Sequence, residues 1–588
     1  MQHAIGDHAL LANGRTAALV DPAGSIAWLC WPRIDSDPML LSIIEQHRGG
    51  RFSLTPAGHA TIASRRYHES SLVLETVWRV DGGRLVVDDV LVGGDRPSLL
   101  RRVRAEGGDV DVDAWFEPAF GTATERASMH ASGELLTASG AGVRVLLQGP
   151  GDWSVTAGAA RCRFRAQAAT PPAFVALGDA DTSLSQDGAS RMFEESLRTW
   201  RERLSRCHGV ALAADAVSAL GEDECRRQLA VSAAVLLGLQ MDAGGIVAAP
   251  TTSLPQWPGS SRTWDYRYCW SRDASLAGMA LVRLGLTDDA RALGDFLGNV
   301  LAAGVPVTLR RVDGSRPPSE TERPDLSGYR GARPVRFGND AASQLQLDVA
   351  GSVIELACSL AAAGALPASL AAASSRLATW TVVHWNDADH GIWEIRGDPH
   401  RYTHSRVMQW AALRAAAAMA QRGLMRGDGE TWRRTAADIH AAALPPDGAP
   451  LQLHDDGGGA DAALSMAVSN GFLRPEDRRA AATLGLIVSR LVRSDLVERY
   501  EGSRDGIADR CAPFVFPMFW LATAQRALGG DVSRALRAAA RTCGALGLYG
   551  EVVEPATLSP LGNYPQVQSH AACVLALTEP DRGLSSPS

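Results

Sequence analysis

The chain lacks both a long apolar run and a long run of charge of one sign. Hydrophobic residues make up 46% of its 588 residues, yet no stretch approaches the roughly 20 apolar residues of a membrane-spanning helix. The formal net charge of −7 is spread along the chain, so no basic patch marks a surface for nucleic acid or an anionic membrane. The first twenty residues also lack a basic start followed by an apolar core. The sequence therefore predicts a soluble, cytoplasmic protein without a secretory signal.

Cysteine and histidine patterns that hold metals are also missing. The nine cysteines are scattered, odd in number and never spaced as Cys-x-x-Cys, which excludes a disulfide framework and a zinc site of that type. We expect them to be reduced and mostly buried. His400 and His404 are spaced like zinc ligands on a helix, but no third ligand is evident and Pro399 argues against a continuous helix. The sequence predicts no metal and no other cofactor.

Two sizeable domains are expected, because 588 residues exceed what one ordinary core accommodates. Up to about Val175, short apolar runs alternate with turn residues. Between Ser71 and Val92, two β-rich runs flank Asp81-Gly82-Gly83, a loop suited to a hairpin. Residues 110–116 alternate apolar and polar side chains with the period of a half-buried strand. The first third of the chain is predicted to be mostly β.

From about Phe193 onward the pattern becomes helical. Alanine-rich segments carry apolar residues at helical intervals and are separated by glycine and proline. This periodicity is compatible with a helical toroid or with a bundle and does not distinguish them. The clearest segments are residues 228–239, 352–363, 407–422 and 519–528.

Two glutamates stand in contexts that suit the cleavage of a glycosidic bond. Glu394 lies in GIWEIRG and Glu551 lies in GLYGEVVEP. Such cleavage needs two carboxyl groups, one to protonate the departing oxygen and one to activate water or attack carbon. Burial of Glu394 between Trp393 and Ile395 would favour the protonated form that an acid catalyst needs. The alternative is an ordinary exposed glutamate that pairs with Arg396.

An aromatic block, TWDYRYCWSRD, spans Thr263 to Asp273. Sugar rings have apolar faces and polar edges, so a sugar site combines flat aromatic walls with a few fixed charged groups. Arg272 and Asp273 could bind neighbouring hydroxyl groups. The alternative is an aromatic core stripe with a surface ion pair. The candidates for the walls are Trp264, Tyr266, Tyr268 and Trp270.

Five segments of the chain carry a shared pattern: Ile5–Pro38, Thr263–Asp273, Gly328–Gly351, Gly391–Gly397 and Gly547–His570. Together they resemble glycoside hydrolase family 15, which contains glucoamylases, glucodextranases and bacterial trehalases. They stand in the family's order and spacing and cover nearly the whole chain. The resemblance implies an N-terminal β-sandwich over residues 1–190, a helical linker over 191–220, an (α/α)6-barrel catalytic domain over 221–580 and a tail over 581–588.

The resemblance also implies roles for individual residues. Glu394, directly after the tryptophan of its motif, would be the general acid. Glu551 would be the general base, with Glu554 as its rival, although many relatives have two consecutive acids where this chain has Glu551 and Val552. The chemistry would be inverting, with the two carboxyl groups roughly 6.5–9.5 Å apart, and would release β-glucose without a metal. The expected substrate-binding residues are Arg272 and Asp273, which would hold the terminal glucose, and Trp264, Tyr266, Trp270, Trp393 and Arg396.

The favoured function is an exo-acting, glucoamylase-like α-glucoside hydrolase that removes glucose from the non-reducing end of α-glucans or short α-glucosides. Trehalase is the alternative. A helical-barrel phosphorylase would use phosphate instead of water and would not need Glu551 as a base. A catalytically inactive sugar-binding protein is the candidate from outside the enzymes. Where relatives carry Glu-Gly before an aromatic residue, this chain reads RCAPFVFPMFWL (Arg510–Leu521). If this segment lines the leaving-group side of the site, an unusual leaving sugar is expected.

Overall fold

The amino-terminal part of the chain forms strands that pair in antiparallel fashion. The computed structural model describes residues 2–69, 71–94, 97–181, 183–502, 505, 507 and 509–579. Its first elements are β1 Ala9–Ala12, β2 Ala17–Val20, β3 Ser25–Cys30, β4 Pro38–Leu40, β5 Arg51–Pro56, β6 Ala60–Tyr67, β7 Leu74–Val80, β8 Gly83–Val92, β9 Ser98–Glu106, β10 Val110–Glu117, the short helical turn α1 Phe120–Ala123, β11 Ser128–Ser132, β12 Leu135–Gly140, β13 Val143–Gln148, β14 Trp153–Thr156, β15 Ala159–Ala166 and β16 Ala173–Asp179.

These strands build two sheets that face each other across an apolar core. One sheet has the order β1-β2-β3-β5-β10-β15-β14, with β4 beside β3, and the other has the order β11-β12-β13-β16-β9-β8-β7-β6. The predicted hairpin is β7 and β8, and Gly82 supplies the positive φ of its turn. The alternation in β10 is also confirmed, because its valines, Ala114 and Phe116 are buried between the sheets while Asp111 is exposed.

Twelve helices of the described residues, α4 to α15, form an (α/α)6 barrel, as predicted. Helices α5, α7, α9, α11, α13 and α15 form the inner ring, which closes where α15 contacts α5, and the six helices between them lie outside. The helices are α2 Gln186–Ser205, α3 Ala214–Leu220, α4 Glu222–Leu239, α5 Ser271–Arg283, α6 Thr287–Val300, α7 Asp348–Ala362, α8 Ala368–His384, α9 Thr403–Gln421, α10 Gly429–Ala443, α11 Ser465–Ser469, α12 Arg478–Leu491, α13 Phe516–Ala527, α14 Ser533–Ala540 and α15 Val567–Leu577.

Small residues let the inner helices approach closely. Gly351 of α7 packs against α9, and a Cβ atom at this position would lie only 2.5 Å from the Met408 carbonyl oxygen. Helices α2 and α3 occupy the segment between sandwich and barrel, and the domain limits at residues 190 and 220 remain a prediction. The predicted tail over 581–588 lies outside the described residues.

The sandwich supports the barrel behind the aromatic block. The Trp28 indole is fully buried and donates a hydrogen bond to the Pro250 carbonyl at 2.8 Å. Arg267, inside the aromatic block, pairs with Asp265 at 2.7 Å and donates to the Ser36 carbonyl at 2.6 Å. These buried polar contacts fix the segment that leads into α5.

Two further sequence predictions can be compared with the structure. All nine cysteines are unpaired and seven of them are buried, as expected. Among the described helices, none combines the length and apolar character required to cross a bilayer.

Candidate active site

A pocket of about 790 Å³, counted with its open mouth, lies at the end of the barrel where the inner helices begin. This volume is in the range of small-molecule sites. Its walls come from the loops that precede the inner helices and from their first turns, and none of the described lining residues belongs to the sandwich. All nine site residues predicted from the sequence line this pocket: Trp264, Tyr266, Trp270, Arg272, Asp273, Trp393, Glu394, Arg396 and Glu551. Tyr268, the fourth candidate wall, does not line it and is buried with its hydroxyl on Asp265.

Arg272 and Asp273 occupy the first turn of α5 and are almost fully buried. Arg272 donates to Asp273 Oδ1 at 3.3 Å and to Gln346 Oε1 at 2.8 Å, and it lies 3.5 Å from Asp348 Oδ2. Burial raises the pKa of Asp273 to about 6, against the opposing effect of Arg272. The pair therefore presents a fixed cation and a carboxylate at the floor of the pocket, as recognition of neighbouring hydroxyls requires.

One oxygen of Glu394 is held by three donors. Oε1 accepts hydrogen bonds from Trp270 Nε1 at 2.6 Å, Gln346 Nε2 at 3.2 Å and Arg272 at 3.4 Å. Within the described residues no protein donor reaches Oε2, and the side chain keeps 24% of its surface exposed. The carboxyl group is thus fixed through one oxygen and open to the pocket through the other.

The alternative pairing of Glu394 with Arg396 does not occur. Arg396 forms two hydrogen bonds with Glu320, at 2.8 and 2.5 Å, and its guanidinium lies 5.6 Å from the centre of the Trp264 ring. Glu320 also contacts Arg336 at 3.2 Å. This cluster of charged groups stands beside Trp264 on the rim of the pocket.

Glu551 is buried and accepts one hydrogen bond on each oxygen. Tyr266 donates its hydroxyl to Oε1 at 2.7 Å, and Gln256 donates its amide to Oε2 at 2.9 Å. Burial raises the pKa of Glu551 to about 7, although both hydrogen bonds lower it. The rival Glu554 does not line the pocket and accepts a hydrogen bond from Thr557.

Two neighbouring aromatic rings each hold one of the two glutamates. The rings of Tyr266 and Trp270 are tilted against each other with centroids 5.5 Å apart. The Tyr266 hydroxyl binds Glu551, and the Trp270 indole binds Glu394. Two residues of one aromatic block therefore bind both carboxyl groups, and each carboxyl group has its own donors.

The sequence did not predict that Arg499, Gln256 and Gln346 belong to the site. Arg499 lines the pocket, is buried and pairs with Asp505, and its charge lowers the pKa of Glu551. In the sequence it stands between Glu498 and Tyr500 and reads as an ordinary surface charge. Neutral amides such as Gln256 and Gln346 have no charge or periodic spacing that marks them, although Gln346 lies within the Gly328–Gly351 segment of the family resemblance.

Metal-ligating groups gather at a different place. Among the described residues, the one cluster within reach of a common ion is His68, Glu75 and Asp88 in the sandwich. Its carboxylates are already paired with arginines of the same sheet, so the cluster is an ion-pair network. His400 is exposed and precedes α9, whereas His404 is buried within it.

Comparisons with known proteins cover both halves of the chain. A family model described as "Glycosyl hydrolases family 15" matches residues 229–522, and one described as "Trehalase-like, N-terminal" matches residues 2–195. A trehalase of Mycobacterium tuberculosis is 33% identical over 97% of this chain and 89% of its own length. Trehalase 1 of Sulfolobus acidocaldarius is 30% identical over 98% of each chain. A bacterial glucoamylase complexed with acarbose superposes with a TM-score of 0.69 at 14% identity, over 98% of this chain and 94% of its own, which confirms the fold.

Proposed function

Because the chain belongs to glycoside hydrolase family 15, we propose that it is a trehalase, which hydrolyses the bond between the two α-glucosyl units of α,α-trehalose with inversion. The observation that carries this proposal is the match to proteins named trehalase along nearly the whole chain, at up to 33% identity. The glucoamylase-like function favoured by the sequence has weaker support, because a structure at 14% identity is evidence for the fold and not for the substrate. The trehalase alternative therefore takes its place.

The floor of the pocket would bind the glucosyl unit that is attacked. Arg272 donates to hydroxyl oxygens and Asp273 accepts from hydroxyl groups, while Tyr266, Trp270 and Trp393 cover the apolar faces of the ring. Burial of the charged pair makes these hydrogen bonds strong, because little water competes for them. A sugar that lacks the matching hydroxyls would leave buried polar groups unpaired, which is costly.

Glu394 is the proposed general acid. Three donors occupy Oε1, so the transferable proton belongs on Oε2, the oxygen without a protein donor among the described residues. Glu394 donates this proton to the bridging oxygen as the bond from that oxygen to the anomeric carbon breaks. The departing glucose keeps the bridging oxygen, which becomes its anomeric hydroxyl in the α configuration.

Glu551 is the proposed general base. It removes a proton from water as the water oxygen attacks the anomeric carbon from the face opposite the leaving group. Tyr266 and Gln256 each occupy one lone pair on the carboxylate, and no other described residue donates to it, which leaves lone pairs for water. These donors and the positive charge of Arg499 favour the ionised form that a base needs, against the effect of burial.

The products distinguish this reaction from its alternatives. Inverting hydrolysis of trehalose yields one β-glucose from the attacked unit and one α-glucose from the departing unit. A proton NMR time course with trehalose, maltose, isomaltose and maltotetraose in separate tubes is expected to show both anomers at equal initial amounts with trehalose. Release of α-glucose alone from trehalose would contradict inversion. Turnover of maltotetraose without turnover of trehalose would restore the glucoamylase-like function.

A further inference from the structure

The turn that carries Glu394 has a strained backbone. Glu394 has a φ of 55°, in the left-handed region that residues with a side chain rarely occupy. The turn is closed by hydrogen bonds from the Glu394 amide to the Gly391 carbonyl and from the Ile395 amide to the His390 carbonyl, each 3.2 Å long. Such strain persists only when the surrounding structure holds the segment firmly. The groups that hold this turn, together with the three donors to Oε1, therefore set where the Glu394 carboxyl points.

Asp389 fastens the start of this turn to the barrel. Its side chain is fully buried, and Oδ2 accepts the Leu347 amide at 2.9 Å and the Ser405 hydroxyl at 2.8 Å. Leu347 directly precedes α7, and Ser405 lies in the first turn of α9. The backbone of Asp389 also pairs with His400 in both directions, at 2.8 and 2.9 Å. One carboxyl group thus joins the turn to the N-terminal ends of two neighbouring inner helices.

We propose that Asp389 is a positioning residue, which holds the strained turn so that Glu394 Oε2 faces the bridging oxygen of the substrate. This inference rests on the proposed role of Glu394 as general acid. Asp389 itself does not line the pocket, so it acts on catalysis through the groups that it holds, and the turn is the one that carries Glu394. Burial raises the pKa of Asp389 to about 7, and the neutral amide of asparagine, which keeps an accepting oxygen, is a close substitute.

A substrate that is hydrolysed without acid catalysis distinguishes a misplaced Glu394 from general disruption of the active site. In α-glucosyl fluoride the C–F bond breaks and fluoride leaves with the bonding electrons, so no proton from Glu394 is required. The attack of water still needs Glu551 and the Arg272–Asp273 pair. For Asp389→Ala we expect kcat on trehalose to fall about 10²-fold, the cost of an ångström-scale displacement of a catalytic group, with little change on the fluoride. Asp389→Asn is expected to restore most of the trehalose activity.

The variant Glu394→Gln distinguishes a failure of the acid role of Glu394 from a failure of the positioning role of Asp389. Glu394→Gln must itself lose trehalose turnover and keep fluoride turnover, and full trehalose turnover in this variant would overturn the acid role. If Glu394→Gln behaves as expected but Asp389→Ala keeps its trehalose activity, or loses both activities equally while folded, the positioning role of Asp389 is wrong.

A milder change covers the case in which Asp389→Ala does not fold. Ser405→Ala removes one donor to the Asp389 side chain and keeps the carboxyl group. We expect a smaller loss that is again confined to trehalose. Ser352→Ala is the matched control, because Ser352 is an equally buried hydroxyl whose hydrogen bond, at 3.4 Å, goes to its own helix at Asp348 O. A Ser405→Ala variant indistinguishable from Ser352→Ala would overturn the proposal.

Discussion

The Tyr266 hydroxyl donates to Glu551 Oε1 at 2.7 Å, so the residue proposed as base is held by a residue of the aromatic block. The two residues are far apart in the chain, and the hydrogen bond brings the carboxyl-terminal motif onto the segment that leads into α5. The contact affects the ionisation of Glu551 as well as its position. A donor to a carboxylate stabilises its ionised form, and here it opposes the effect of burial.

Activity is expected to fall on the acidic side of about pH 7. Glu551 must be ionised to accept a proton from water, and its pKa is raised to about 7, so kcat/KM declines as the pH drops through this value. Tyr266→Phe removes a donor that lowers the pKa. The acidic limb of the kcat/KM profile should therefore move to higher pH in this variant, and the maximal rate should also fall.

Tyr268→Phe is the control for this pH shift. Tyr268 is buried in the same block, but its hydroxyl binds Asp265 and it does not line the pocket. Its pH profile should match that of the unmodified protein. A Tyr266→Phe profile with an unmoved acidic limb would contradict the assignment of that limb to Glu551.

Glu551→Gln should abolish turnover of both trehalose and α-glucosyl fluoride. Both reactions need a base to deprotonate the attacking water, whereas only trehalose needs the acid. The loss is expected to be about 10²–10⁴-fold, the usual contribution of a base. Glu554→Gln, three positions on and outside the pocket lining, should leave both rates unchanged. Initial rates from glucose and fluoride release would measure this, and fluoride turnover that survives in Glu551→Gln would exclude Glu551 as the base.

Arg396 is expected to contact the departing glucose. Glu394 gives its proton on the side where the leaving sugar sits, and Arg396 lies two residues further along, held over Trp264 by Glu320. Arg396→Gln should raise KM for trehalose several-fold and leave α-glucosyl fluoride unaffected, because fluoride leaves that side of the pocket empty. Arg401→Gln is the control, since Arg401 pairs with Asp455 away from the pocket. Equal changes in KM for both substrates would place Arg396 beside the attacked unit instead.

Much of the fold was predictable because its signals are local or repeated. The β7–β8 hairpin follows from a glycine turn between two apolar runs, and the alternation in β10 follows from the pleat of a strand. The choice of a barrel over a bundle, and the selection of Glu394 and Glu551 among 65 acidic residues, came from resemblance to a family. Periodicity alone would not have supplied either.

The supporting contacts of the site were not predictable from local pattern. Gln256 and Glu551 are 295 positions apart, and Arg396 finds Glu320 at 76 positions away instead of Glu394 two positions before it. The left-handed backbone of Glu394 and the carboxyl group of Asp389 that fastens its turn depend on three-dimensional packing. Such contacts join single residues without a repeating spacing, so the sequence carries no sign of them.

A second buried carboxyl group near Glu394 makes the stability of the fold depend on pH. Asp461 Oδ1 accepts the Trp393 indole at 2.8 Å and the Ala463 amide at 2.9 Å, and burial raises the pKa of Asp461 from 3.8 to about 7. Between these two values the folded state keeps the proton while the unfolded state has released it. The contribution of Asp461 to stability therefore falls as the pH rises from about 4 to about 7, and it stays low above that range.

Asp461→Asn should remove the loss of stability that Asp461 causes as the pH rises. The asparagine oxygen can accept both hydrogen bonds but does not ionise, so thermal unfolding should show a gain in melting temperature over the unmodified protein that is larger at about pH 8 than at about pH 5. Asp398→Asn, an exposed change on the segment that follows the Glu394 turn, serves as control and should show no such widening gap. A constant difference between Asp461→Asn and the unmodified protein at both pH values would mean that Asp461 is ionised equally in the folded and unfolded states. The raised pKa would then be wrong, and the Trp393 indole would donate its hydrogen bond to a buried, ionised carboxylate.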